Sequence, residues 1–428
     1  MKIKIKEKSY DEVLKIKESG SSKSRKPKKP NMLFRTLVRI LSIPECMATR
    51  CKIEKVGMER LGKKEPCLVL MNHSSFTDLK VASAALYPRA YNIVCTTDAL
   101  VGKNWLMRQI GCIPTHKFVL DLGLIKSMKY ALKKLGSSVL MYPEAGYSFD
   151  GRATTLPDSL GKLLKFLDVP VVMIYADGAF LRDPLYNNLR KRKVKVTATV
   201  KYLLSPDEIK EKSPEELNAI LQNEFSFDNF KNQQEKGIVV NEPFRADYLH
   251  RVLYKCPDCG VEGEMNGKGM QIKCNACGRV HWLNEYGFIE TFHEEPKFNH
   301  IPDWFDWERA EVLREIEEGK YRLDTEVDIY MMIDAKAVYK VGEGRLVHDE
   351  KGFVLDGCDG KLHYEQKPLF SYSLCADYYW YEIGDVICIG TFDALYYCFP
   401  KDKKVSVAKA RLATEELYKL AMEQKRKK

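Results

Sequence analysis

A chain of 428 residues is too long for one core and bounds the molecule at two to four domains. Its 45% hydrophobic and 11% aromatic content excludes a disordered or fibrous protein, and 69 basic against 59 acidic residues leave a modest net charge of +10. The excess sits at the ends, because residues 2–31 hold eleven Lys/Arg against four Asp/Glu and the sequence closes on Lys425, Arg426, Lys427 and Lys428. An anionic partner is therefore expected, either a membrane surface or a nucleic acid.

Thirteen cysteines, with two tight CxxC pairs among them, argue for thiols and a metal in a reducing compartment, not for a secreted disulfide framework. The first thirty residues carry no apolar signal-like run, and no stretch of eighteen apolar residues occurs. The expectation is a soluble or peripheral protein.

In chain order, residues 1–30 end in a Gly/Ser/Pro/Lys segment with little to bury and read as a basic disordered tail. A domain over 31–250 follows. It opens on Met32–Ser42, where Leu33, Leu37, Ile40 and Leu41 share one helical face, Arg35 and Arg39 lie elsewhere and Pro44 ends the run. This helix either rests in a headgroup layer or is the first core helix of the domain. From Cys51 to Tyr202 strands and helices alternate. Strands are expected at 67–71, 91–96, 138–142 and 169–175, with an outer one at 193–202, and helices at 79–86, 104–110, 124–135 and 159–167. The pattern is that of an α/β domain with a mostly parallel central sheet flanked by helices. Ser213, Pro214 and Glu216 form a capping box that opens another helix.

The chemistry is expected at the ends of the strands. After the first apolar strand comes MNHSSFTD, which puts His73 at the sheet's carboxyl edge and Asp78 in the first turn of the next helix. A carboxylate there can accept one imidazole N–H and leave the other nitrogen as a general base, although a merely structural histidine fits the same spacing. Lys117 closes the block GCIPTHK, and YPEAGYS places Glu144, Ala145 and Gly146 after the next apolar strand. Small residues there let a substrate approach backbone N–H groups. Cys112 beside His116 is a weaker idea for a nucleophile, since it lies in an apolar segment.

The ordered set NHSSFTD, GCIPTHK, YPEAGYS and VPVV resembles the four blocks of the glycerolipid acyltransferase family, which includes the 1-acylglycerol-3-phosphate acyltransferases, over residues 32–205. The resemblance implies an α/β acyltransferase domain that moves an acyl group from acyl-CoA or an acyl carrier protein to a hydroxyl of a lysophospholipid-like acceptor. It makes His73 the base, Asp78 its orienting partner, Lys117 the phosphate-binding cation and Glu144 a positioning group, with no catalytic cofactor. Two departures stand out. The family's glycine is Ala145, with Gly146 shifted by one, and its arginine is Tyr147, which cannot grip a phosphate. Arg152, four residues beyond Ser148, is the candidate to compensate.

Residues 251–290 read as a zinc ribbon. Cys256 and Cys259, then Cys274 and Cys277, form two CxxC-Gly turns fourteen residues apart that would fill all four positions of a structural zinc. The basic residues between them form no dense stripe, so nucleic acid is not the favoured partner. A connector over 291–325 holds a helix at 303–318, with Trp304 and Trp307 packing between modules. Residues 326–428 then give about seven short antiparallel strands and a final helix at 405–422. This barrel or sandwich resembles the pleckstrin-homology or GRAM shape.

Taken together, the sequence reads as a cytoplasmic O-acyltransferase, peripheral on the inner face of an anionic membrane. An inactive acyltransferase fold serving as a lipid-sensing scaffold is the alternative, and a zinc-ribbon nucleic-acid binder the third.

Overall fold

The apolar runs of the first half become the middle of a sheet because both faces of each strand find a helical layer to bury against. The computed structural model describes residues 3–19, 26–119 and 121–427. The strands of this sheet are β2 (Lys52–Val56), β3 (Leu68–Met71), β4 (Tyr91–Thr96), β5 (Cys112–Thr115), β6 (Ser138–Met141), β7 (Val171–Asp177) and β8 (Thr197–Leu204). Their order is β2-β8-β7-β3-β6-β4-β5, parallel throughout except between β7 and β8. Val69 and Met71 of β3 pack beneath α3 (Asp78–Leu86), while Leu68 and Leu70 pack on the other face against α5 (Leu122–Lys133), α6 (Leu160–Leu167) and α9 (Pro214–Glu224). This is the mostly parallel, helix-flanked sheet the apolar runs imply. The strand expected at the outside is second from the edge, because β2 pairs beyond it.

Shorter helices complete this half: α4 (Asn104–Gln109), α7 (Ala179–Arg182), α8 (Pro206–Glu211) and α10 (Asn229–Lys236). Ser213 and Glu216 close the capping box on α9 as the sequence implies.

The first helix differs from expectation. α2 runs from Met32 to Ala48, past Pro44. Proline removes one N–H, yet the last turn is held from outside by Glu45, which is buried and ion-paired with Arg182 at 2.8 Å. Arg35 donates to the carbonyl of Pro88 at 2.6 Å, tying the helix to the domain beneath it.

The start of the chain also differs from the expected tail. Ile5–Glu7 forms β1 and Tyr10–Ser19 forms α1, with Val13 fully buried. The lysine-rich composition conceals a sparse apolar face: Tyr10, Leu14 and Ile16 pack around the same core as Val13. Lys28 then fixes the crossing to the sheet, its carbonyl accepting from Asn92 Nδ2 at 2.8 Å. The remaining stretch of the expected tail, 20–25, lies outside the described residues.

The ribbon is built from β9 (Met265–Lys268), β10 (Gln271–Cys274), β11 (Val280–Leu283) and β12 (Ile289–Glu290), all antiparallel neighbours. Helix α11 (Ile301–Glu317) carries Trp304, which is fully buried and donates its indole N–H to the carbonyl of Lys255 at 3.0 Å.

The last part is one antiparallel sheet: β13 (Leu323–Met332), β14 (Val338–Asp349), β15 (Gly352–Gly357), β16 (Leu362–Gln366), β17 (Cys375–Trp380), β18 (Gly384–Thr391) and β19 (Ala394–Pro400). Strand β13 pairs with both β14 and β19, and β1 joins β14 in parallel. Two expected strands merge into β14, which turns at Gly342 (φ +149°), where the pairing with β13 also shifts register. Helix α12 (Val407–Lys427) covers this sheet through its buried first half.

Candidate active site

The loop after β3 is pinned before it reaches the histidine. Asn72 is fully buried, accepting from the Ala176 N–H at 2.8 Å and donating to Ser74 Oγ at 3.0 Å. The backbone N–H of His73 donates to Glu144 Oε2 at 2.6 Å, and its carbonyl accepts from the Ser148 N–H at 3.1 Å. Asp78, first residue of α3, accepts on Oδ2 from the Ser74 and Ser75 N–H groups at 2.7 and 3.0 Å. That same oxygen lies 3.1 Å from His73 Nδ1. With Nδ1 committed to the carboxylate, Nε2 is the nitrogen left for a substrate. Burial pulls the His73 pKa below its ordinary value, with the Asp78 hydrogen bond acting in the opposite direction.

Two tyrosines clamp the ring: Tyr142, which sequence reasoning passed over, and Tyr147, which it marked only as the replacement of an arginine. Tyr142 stacks on His73 at 4.2 Å between centroids and Tyr147 lies at 4.1 Å, tilted by 35°. The Ala145 N–H donates to the Tyr142 carbonyl at 3.1 Å, and Ala145 itself adopts φ +55°. This tight turn carries Tyr147 back over the imidazole, so the residue standing in place of the family's arginine is a ring support.

Glu144 is fully buried, and its oxygens accept the N–H groups of His73 and Thr154 at 2.6 and 2.9 Å. Burial pushes its carboxyl up to about 8 against those two N–H donors. It holds the histidine's backbone and does not line the cavity, which corrects its expected contact with the acceptor. Gly146 is likewise buried beneath the wall. Arg152 is not brought to the site either. It grips Asp306 of α11 through two bonds of 2.6 Å and Asp150 through Nε at 2.8 Å, because an exposed carboxylate on the connector meets its fork first. Asp183, which no motif marks, is buried and accepts from Thr77 Oγ1 at 3.2 Å. Burial pushes it up to about 7.

His73, Asp78, Lys117 and Ala145 meet in one cavity of ≈ 1850 Å³. This exceeds the few hundred to about 1,000 Å³ of an ordinary small-molecule pocket and leaves room for a long chain. Lys117 Nζ lies 6.0 Å from the Tyr147 ring. Burial pulls its pKa down, but the Cys375 thiol and the Asp377 and Asp98 carboxylates outweigh this and leave it raised. The far wall belongs to the C-terminal sheet and its helix, through Tyr372, Asp377, Trp380, Tyr381 and Tyr418. Cys112 is 5% exposed and packs in the layer beneath α3.

In the ribbon, Cys256, Cys259, Cys274 and Cys277 bring their sulfurs within 4.8 Å of one another and can hold a metal ion. Four thiolates suit a closed tetrahedral site and leave no position for a reacting water.

Residues 52–176 match the model of the Acyltransferase family. No curated protein matches the chain. Among solved structures, the 1-acyl-sn-glycerophosphate (LPA) acyltransferase PlsC from Thermotoga maritima is similar at 17% identity and a TM-score of 0.36, over 45% of this chain and 76% of that one. The matched segment is similar to that family and contains His73, Asp78, Lys117 and Glu144 together.

Proposed function

We propose that the protein transfers a fatty acyl group from a thioester, acyl-CoA or acyl-carrier-protein-bound, to a hydroxyl of a lysophospholipid-like acceptor, working at the inner face of a membrane. The observation that carries this reading is the His73–Asp78 pair, 3.1 Å apart in the wall of a cavity large enough for an acyl chain. Nε2 of His73 takes the acceptor's hydroxyl proton as its oxygen attacks the thioester carbonyl. The tetrahedral intermediate expels the thiolate, which takes the proton back from the imidazolium, so no covalent enzyme intermediate is required. Asp78 stabilises the transient imidazolium, and the two tyrosines keep the ring from turning.

Membrane attachment is supported by the outer face of α2, where Leu33, Leu41 and Met47 are each about two-thirds or more exposed (69%, 66% and 73%), with Trp105 beside it against Phe34. No helix among the described residues is long and apolar enough to cross a membrane. Zinc is the metal we assign to the four cysteines, with a structural role only. We read the C-terminal sheet as pleckstrin-homology- or GRAM-like, a reading supported by the pairing of its first strand with its seventh and by its closing helix.

Incubating the purified chain with palmitoyl-CoA and a panel of lysophospholipids, and following free thiol, tests the reading. Acceptor-dependent release is expected to fall by roughly a thousandfold in His73→Ala. Absence of release with every donor and acceptor would sink it and favour an inactive scaffold.

A further inference from the structure

The headgroup end of the cavity is framed by two parts of the chain that are far apart in sequence. On the acyltransferase side stands Lys117, with its Nζ 6.0 Å from Tyr147, whose ring lies 4.1 Å from His73. Nearby cations have other commitments: Arg152 holds Asp306, Arg411 holds Glu415 at 3.2 Å, and Lys80 and Lys191 both reach Glu45. The cavity-lining Lys103, Lys126 and Lys162, like Lys117, close no ion pair among the described residues, but Lys117 is the cation whose charge acts on His73, and so the one a phosphate beside the reacting hydroxyl would meet.

Opposite stands Asp377, on β17 of the C-terminal sheet, also in the cavity wall. The N–H of Tyr378 meets its carboxylate, which otherwise opens on the cavity. Asp98 is the second carboxylate in reach, but it is occupied, accepting from the Ala99 N–H at 3.0 Å and from Trp380 Nε1 at 3.3 Å. Among the described residues Lys117 closes no ion pair with either carboxylate, although both act on its charge. Trp380 and Tyr381, in edge contact at 4.7 Å, add aromatic faces to the Asp377 side. One cation facing an open carboxylate, with aromatic rings beside the carboxylate, repels a purely anionic headgroup. It suits a ligand that carries a phosphate and an ammonium together.

We propose that the acceptor is a zwitterionic lysophospholipid, its phosphate bound by Lys117 and its ammonium by Asp377, so that the C-terminal sheet forms half of the acceptor subsite. This deepens the acyl-transfer reading and rests on it. The Tyr147 replacement then has a consequence: with the fork of an arginine gone, selectivity passes from phosphate grip to charge alternation.

The test compares lysophosphatidylethanolamine with lysophosphatidic acid of the same chain length, below their micellar concentrations. Turnover is measured by thiol release with the intact protein, and equilibrium binding with the His73→Ala variant. Wild type is expected to favour the zwitterion by about tenfold or more in kcat/KM, the scale of one charge-assisted hydrogen bond. Asp377→Asn should erase that preference through KM, by weakening the use of the zwitterion and improving that of lysophosphatidic acid. Lys117→Gln should weaken both acceptors alike, and thermal unfolding of each variant checks that the fold is kept. Equal use of both acceptors by wild type, or equal losses for both in Asp377→Asn, would overturn the proposal. If no thiol is released with any acceptor while binding still discriminates and the discrimination needs Asp377, the subsite stands and the acyl-transfer reading fails.

Discussion

His73 has one nitrogen spoken for and a ring held on both faces, and its behaviour with pH follows from that. Catalysis requires the neutral imidazole, and burial depresses the folded pKa below its ordinary value. Activity should therefore hold as pH falls through about 6.5 and be lost only below it, which a kcat/KM profile would show. A profile whose acid limb lies well above that value would contradict the assigned environment. Ala145 offers a second check. Its φ of +55° is costly for any residue with a Cβ, so Ala145→Gly should raise stability by about 1 kcal/mol in a thermal melt. The family resemblance points to the same position, but the sequence does not reveal the strain.

At the scale of elements, the apolar runs were legible because a buried parallel strand has to be apolar on both faces. β4 lies where its letters put it, and β3, β6 and β7 lie within two residues. The His–Asp pairing and the four-cysteine cluster were also legible, since each depends on neighbours a few residues apart. What the sequence did not disclose depends on partners brought from a distance. Glu45 is an example: it keeps the helix intact past Pro44 by meeting Arg182, so Glu45→Ala should cost about 3 kcal/mol by leaving a buried guanidinium unpaired. Asp306 captured Arg152 in the same way, and no local motif foretold it. The tyrosine clamp escaped notice because stacking needs a turn geometry that composition does not encode. Element α1 was hidden by its lysines. Val13→Ala should cost about 2 kcal/mol, which chemical denaturation would detect, whereas a true tail would show no change.

For the molecule as a whole, the cavity is a joint product of the seven-stranded sheet's loops and the C-terminal sheet, with the ribbon and α11 between them in the chain. If the four cysteines hold the zinc proposed for them, chelating it should loosen the ribbon. Thiol release and the cooperative melt should then decline together, and re-adding zinc should restore both. Retention on anionic vesicles should weaken as salt rises, since each lysine near such a surface contributes about 1 kcal/mol that ions screen. Salt-independent retention would assign the attachment to the apolar face of α2 alone.

Strand β1 adds a temporal consequence to this architecture. Its pairing partner β14 is made long after it, since Ile5 pairs with Val338. The seven-stranded sheet can form during synthesis with β1 still undocked, and only once β14 has been made does β1 find its seat. Assembly of the complete cavity, whose far wall comes from the C-terminal sheet, is thereby deferred until long after the His73–Asp78 loop has been made.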